Sequence, residues 1–142
     1  MKKLFLDTNV FIDYLAQRKG FYDNAASVIE TCAKKKIKVL VSALAFATAS
    51  YIMGAHCKMT HIMVKNLFAN FMKHGIITPV DSKIINESLA SDFEDFEDAM
   101  QYYSALRENA EIIITRNKAD FSASKIPVVT PQEFLDAVAE EE

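Results

Sequence analysis

Short apolar runs rich in β-branched residues alternate with longer segments of helical spacing along this chain, and that alternation limits its fold more than any other feature. The short runs lie at Lys3 to Leu6, Val39 to Val41, Ile76 to Pro79, Ile112 to Thr115 and Val128 to Thr130. Their length and residue types predict five strands. Between them, Val10, Tyr14 and Leu15, then Ala26, Ile29 and Ala33, then Ile62, Leu67, Phe68, Phe71 and Met72 recur at the spacing of helices that bury one face. Strands separated by helices pair in parallel, because each parallel connection needs a crossover, and the helices then cover both sides of the sheet. The expected fold class is α/β, a three-layer α/β/α arrangement around a central parallel sheet of about five strands.

The last unit carries its own start signal. Thr130-Pro131-Gln132-Glu133 places a capping hydroxyl, a proline at the first helical position and a glutamate at the third, a capping box. A short helix through Phe134, Leu135 and Val138 is expected, with Glu140-Glu141-Glu142 as a frayed, solvated tail. A chain of 142 residues is long enough to bury one self-sufficient core. Three prolines, three glycines and no repeat leave little material for a linker, so one domain over residues 1–142 is expected.

Composition removes several classes of function. No apolar run approaches the ~18 residues a membrane span needs. Met1-Lys2-Lys3 resembles the basic start of a signal peptide, but Asp7, Asn9 and Asp13 break the apolar stretch that follows. Cys32 and Cys57 are too few for a disulfide framework and form no CxxC pair. A reducing cytoplasm is the natural compartment, with both cysteines read as buried small hydrophobes. A net charge of −3 argues against holding nucleic acid by charge over the whole surface, so such a partner would be gripped locally. Lys34-Lys35-Lys36 and Lys38 read as a solvated helix end that favours the helix dipole.

In open α/β sheets, ligands collect beyond the carboxyl ends of the strands, and those positions here are acidic. Asp7 follows the first predicted strand, Asp81 the third, and Asp120 lies in the loop after the fourth. Asp98 ends the acidic stretch Asp92-Phe93-Glu94-Asp95-Phe96-Glu97-Asp98 and leads into Ala99, Met100, Tyr103 and Leu106. Each acid taken alone reads as a helix cap or as a charge complementing a helix N-terminus. Taken together they point to a site. Two unit charges ~4 Å apart repel by about 4 kcal/mol at an effective dielectric of 20, so converging carboxylates need a cation. Hard oxygen ligands without thiolate or paired imidazole favour Mg²⁺ or Mn²⁺; His56, Cys57 and His61 lack the further partner a zinc set requires. A carboxylate-held divalent ion supports phosphodiester hydrolysis, and no phosphate loop, GxSxG, HExxH or dinucleotide fingerprint competes.

LDTNVFIDYL at the N-terminus, DFEDAMQYYSAL around Asp98, and IIITRNKADF followed by IPVVTPQEFL resemble PIN domains over essentially the whole chain. The three motifs stand in the family's order and at suitable separations. The fit is to the bacterial branch with an FEDA-type third motif, whose relatives include toxins of the VapC type. The resemblance implies a Mg²⁺ or Mn²⁺ site, endoribonuclease activity on an RNA substrate, an antitoxin partner and a homodimer. It implies that Asp7 and Asp98 hold the metal. It places Asn117 where some members carry an acid after the Thr-Arg pair, with Asp120 as the replacement carboxylate.

One position departs from the pattern. Where relatives carry a glutamate on the helix after the second strand, this chain carries Thr48, which can orient water or substrate but adds no charge. Asp95, one turn before Asp98, is the acid expected to compensate, with N-terminal charge complementation as the alternative. Thr8 and Asn9 are expected to orient Asp7 and contact substrate or water, with helix capping as the alternative, and Arg116 to contact phosphate, with pairing to Asp120 or Glu97 as the structural alternative. Tyr102 and Tyr103 read as core. Two functions follow: a metal-dependent endoribonuclease, or a catalytically weak PIN scaffold that binds RNA or a protein. A phosphoacceptor receiver domain would need paired acids after the first strand, where Asp7 stands alone.

Overall fold

The computed structural model describes residues 1–142. Its central strand, β1 (Lys3–Leu6), sends Leu4 and Leu6 into one apolar layer and Phe5 into the other, as the two-residue period of a strand dictates. Around it run α1 (Thr8–Leu15), α2 (Tyr22–Lys35), β2 (Lys38–Ser42), α3 (Ala43–Ala55), α4 (His61–Met72), β3 (Gly75–Thr78), α5 (Ser82–Leu89), α6 (Phe96–Arg107), β4 (Ile112–Ile114), a 3-10 turn at Lys118–Phe121, β5 (Val128–Val129) and α7 (Pro131–Glu141).

All four strand pairings are parallel, and the order is β3-β2-β1-β4-β5. The larger core layer packs Leu4, Leu6, Val41 and Ile114 against α1 to α4 and Phe134 of α7. The opposite layer packs Phe5, Leu40 and Ile113 against Tyr102 and Ala105 of α6, with Phe121 of the 3-10 turn closing it. The chain leaves β1 toward β2 on one side and reaches β4 on the other, so a crevice opens at the carboxyl ends of β1 and β4. That topological switch is where α/β sheets bind ligands.

The five strands fall where the apolar runs predict them, and the α7 capping box forms: Glu133 N–H donates to Thr130 Oγ1 at 3.1 Å while Thr130 N–H donates to Glu133 Oε1 at 2.9 Å. Other expectations are corrected. Helix α2 buries Ala25, Val28 and Cys32, one residue before the predicted face, so Ile29 sits at the core's edge and Ala33 is exposed. Helix α4 buries Val64 and Phe71, leaving Ile62 and Met72 exposed because β3 is an edge strand with less to cover. On α6, Ala99 is buried as expected, but Leu106 points outward. Helix α7 continues to Glu141, consistent with the good helix propensity of alanine and glutamate. Cys32 is buried, which pushes its thiol up to about 12, whereas Cys57 is exposed. No helix is long and apolar enough to cross a membrane.

Candidate active site at the switch between β1 and β4

Asp7 stands at the N-cap position of α1, yet its side chain makes no capping bond. Its carboxylate turns into the sheet's carboxyl edge instead, where Oδ2 accepts from Thr115 Oγ1 at 2.9 Å and Oδ1 from Gln101 Nε2 at 3.0 Å. The other strand-end acids behave differently. Asp81 caps α5, accepting from Ile84 N–H at 3.2 Å, and pairs with Arg107 at 2.8 Å. Asp95 caps α6, accepting from Asp98 N–H at 2.9 Å. Capping therefore accounts for Asp81 and for one oxygen of Asp95, and it does not account for Asp7.

Helix α6 begins beside the same crevice and carries Asp98 and Gln101 one turn apart, with Gln101 turned toward Asp7 and Thr8. The Gln101 amide nitrogen reaches Asp98 Oδ1 at 3.4 Å as well as Asp7. Burial is the chief reason both acids bind protons more tightly than usual. It raises Asp7 against the opposing effect of its Gln101 and Thr115 bonds. It also pushes Asp98 up to about 7, reinforced by the charges of Asp95, Asp7, Asp120 and Glu97. Glu97 is raised as well, by burial and then by Asp95 and Asp7. Asp95, Asp98 and Asp120 line one cavity of about 480 Å³, together with Asp92 and Glu94. Negative charge thus gathers in the crevice without a basic side chain among the residues that line this cavity.

The remaining sequence-predicted residues divide. Thr8 is buried and hydrogen-bonded to Gln101 through both its N–H, at 2.9 Å, and its hydroxyl, at 3.0 Å. Asn9 is exposed and accepts from Arg18 Nη1 at 3.4 Å. Asn117 acts through its backbone: its N–H donates to Thr115 Oγ1 at 3.2 Å and its carbonyl accepts from Asp120 N–H at 3.2 Å. Thr48 is half-buried on α3 and takes no part in the bonds joining Asp7, Thr8, Asp98, Gln101 and Thr115. Arg116 requires a correction. It pairs with neither Asp120 nor Glu97. Its Nε and Nη2 are committed to the buried Asp13 at 2.8 and 3.3 Å, and its guanidinium lies 3.9 Å from the Phe21 ring centroid. Both hydrogens of Nη1 and the second hydrogen of Nη2 are left for a phosphate.

Among the buried polar residues, three that bond predicted site residues are not predicted from the sequence: Asp13, Gln101 and Thr115. A signal existed for two of them. Gln101 interrupts the small and aromatic face of Ala99, Tyr102 and Ala105, and Thr115 ends the apolar run of β4.

The donor chemistry suits a hard divalent cation. Each oxygen of Asp7 accepts one hydrogen bond and an ionised carboxylate has about four acceptor positions, so both retain capacity. No three histidine, cysteine, aspartate or glutamate side chains are gathered tightly enough to hold a metal by themselves. Two carboxylates and an open cavity instead match an ion that keeps several of its waters, the usual habit of Mg²⁺.

A five-stranded parallel sheet between helices, with an acidic crevice at its switch point, defines the class of α/β protein. Residues 3–119 match the PIN domain model, and the chain belongs to the PIN domain family. It is similar to the ribonuclease VapC1 of Aquifex aeolicus (strain VF5), with 24% identity over 140 residues, 95% of this chain and 94% of the relative. Among solved structures, a toxin-antitoxin complex from Klebsiella pneumoniae superposes with a TM-score of 0.66 at 23% identity, covering 90% of this chain and 97% of that one. VapC20 of Mycobacterium tuberculosis, described as a Sarcin-Ricin loop cleaving toxin, superposes with a TM-score of 0.68 at 15% identity, covering 87% and 95%. At these identities the two structures establish the shared fold.

Proposed function

We propose that this chain is a metal-dependent endoribonuclease that hydrolyses RNA phosphodiester bonds, and that it is the toxin of a toxin-antitoxin pair. The observation that carries the reading is the buried Asp7 carboxylate, which makes no capping bond and shares the Gln101 amide nitrogen with Asp98, a residue lining the acidic cavity. Family membership and the ribonuclease relative support the activity, and the fold shared with a chain of a toxin-antitoxin complex supports the antitoxin partner. A homodimer is part of the same proposal.

Asp7 and Asp98 would hold Mg²⁺ or Mn²⁺. Such an ion, when bound, supplies the positive charge that activates water and stabilises phosphoryl transfer. The chain's own residues do the rest. Thr115 and Gln101 orient Asp7. Asp95, Asp120 and Asn117 border the position where water and the scissile phosphate would meet. Thr8, Asn9, Thr48 and the free Nη1 of Arg116 are the proposed substrate contacts.

Purified protein with Mn²⁺ is expected to cleave RNA, and an Asp7→Asn, Asp98→Asn double variant to lose that cleavage by at least about 100-fold, the scale expected when such stabilisation is removed. Equal cleavage by both proteins would overturn the assignment. For the toxin role, expression should arrest growth and co-expression of a neighbouring small gene should relieve it; growth unaffected by expression would remove that role.

A second reading is supported by Thr48 and Asn117 standing where acids are common, and by the lack of a three-acid group. It is a catalytically weak PIN scaffold that binds RNA or a protein. Tight, carboxylate-dependent Mn²⁺ binding would count against it.

A further inference from the structure

Gln101 is a neutral side chain, 1% exposed, bonded to two carboxylates. Its amide is fully engaged. Oε1 accepts from Thr8 N–H at 2.9 Å and from Thr8 Oγ1 at 3.0 Å, while Nε2 donates to Asp7 Oδ1 at 3.0 Å and to Asp98 Oδ1 at 3.4 Å. An amide has two donor hydrogens and two acceptor positions, and all four are used here. Its orientation is fixed by chemistry, because a backbone N–H can only donate and so must face the amide oxygen. The nitrogen is thereby turned toward the carboxylates.

We propose that Gln101 is a positioning residue of the nuclease site: its amide straps Asp7, at the end of β1, to Asp98, on the first turn of α6, and sets the geometry in which the pair receives a divalent cation. The proposal rests on the metal-dependent reading of Asp7 and Asp98 above.

The choice of side chain follows from the charge arithmetic of the crevice. Two carboxylates brought together repel, and something must hold them before a cation arrives. A lysine or arginine would do so by neutralising them and would then compete with the ion. An aspartate or glutamate would add to the repulsion. A primary amide offers two hydrogens and no charge, so it can hold both carboxylates while leaving their negative charge for a cation. Thr8 completes the device, since its N–H and hydroxyl pin the amide from the α1 side. Groups that orient metal ligands from behind commonly matter by 10- to 100-fold in affinity or rate.

The test compares wild type with Gln101→Met, which keeps the volume and removes all four bonds. A control on the same helix is Ser104→Ala, which breaks a buried bond to Thr78, 2.6 Å long, away from the carboxylates. Three quantities are read for each: melting in EDTA, Mn²⁺ affinity by calorimetry with the metal alone, and kcat and KM on RNA. Both variants should melt lower than wild type. Only Gln101→Met should lose Mn²⁺ affinity, by about 10- to 100-fold, with kcat falling while KM stays within about twofold. If that variant does not fold, Gln101→Asn, whose shorter amide cannot span Thr8 and both carboxylates, should show the same loss.

Wild-type Mn²⁺ affinity and kcat in a folded Gln101 variant would overturn the positioning role and leave the nuclease reading standing. A wild type that neither binds Mn²⁺ nor cleaves RNA would remove both. An equal loss of affinity in Ser104→Ala would reduce Gln101 to a general packing residue and overturn the proposal.

Discussion

Arg116 grips the buried carboxylate of Asp13 through two nitrogens, at 2.8 and 3.3 Å, and so ties the loop after β4 to helix α1. Arg18 adds a third bond to the same carboxylate at 3.2 Å. Asp13 is almost fully buried, while the two arginines are about one third exposed. The acid is therefore the member whose loss leaves charges uncompensated.

Asp13→Ala should destabilise the protein by about 3 kcal/mol, the lower end for breaking a buried pair because both cations can reach water. Chemical denaturation would measure it. A loss below about 1 kcal/mol would mean that the clamp contributes no more than an exposed ion pair.

Gly75 opens β3 directly beneath Phe71, and a Cβ there would overlap the phenyl ring. That ring packs on Phe11, with centroids 4.9 Å apart, and on Phe46 at 6.2 Å, so moving it aside disturbs the aromatic cluster. Gly75→Ala should cost about 1–3 kcal/mol by overpacking. An unchanged melting temperature would show that the aromatic cluster yields more easily than its packing implies.

In the metal-free protein, Asp7 and Asp98 should contribute a stability that is lost as pH rises. Asp7 and Asp98 both bind protons more tightly in the folded chain than at their ordinary value of 3.8. The associated stability is complete below that value and is lost as pH climbs through Asp98's value of about 7. Because Asp98 is only half-buried, the change is well below the ~1.4 kcal/mol per pKa unit that applies without solvent screening. Melting in EDTA from pH 4 to 7 should show the decline, and Asp98→Asn should flatten it. Wild type and Asp98→Asn with the same pH dependence over that interval would contradict this charge arrangement.

Much of the fold was legible because parallel strands and amphipathic helices leave different periods in a sequence. β1 through β5 each announce themselves as apolar runs. The face of α2 was misread by one residue because Ala25, Ala26, Val28, Ile29, Cys32 and Ala33 offer two overlapping apolar stripes, and only the sheet beneath decides between them. At the site, the strand-end acids were visible but their roles were not. Asp7 and Asp81 both follow strands, and whether a carboxylate caps its helix or turns away depends on Thr115 and Gln101, more than 90 residues distant from Asp7 in the chain. The sequence sets Arg116 among acidic neighbours, while its partner Asp13 lies 103 residues away. Long-range pairing of polar groups leaves no period to read.

We propose that Asp7 and Asp98 form one cation site on which catalysis depends. Calorimetric titration of Mn²⁺ into wild-type protein and into Asp7→Asn tests it most directly. One ion per chain in wild type, weakened at least about 10-fold by removing a single carboxylate ligand, is the expected result; undiminished Mn²⁺ binding by Asp7→Asn would contradict it.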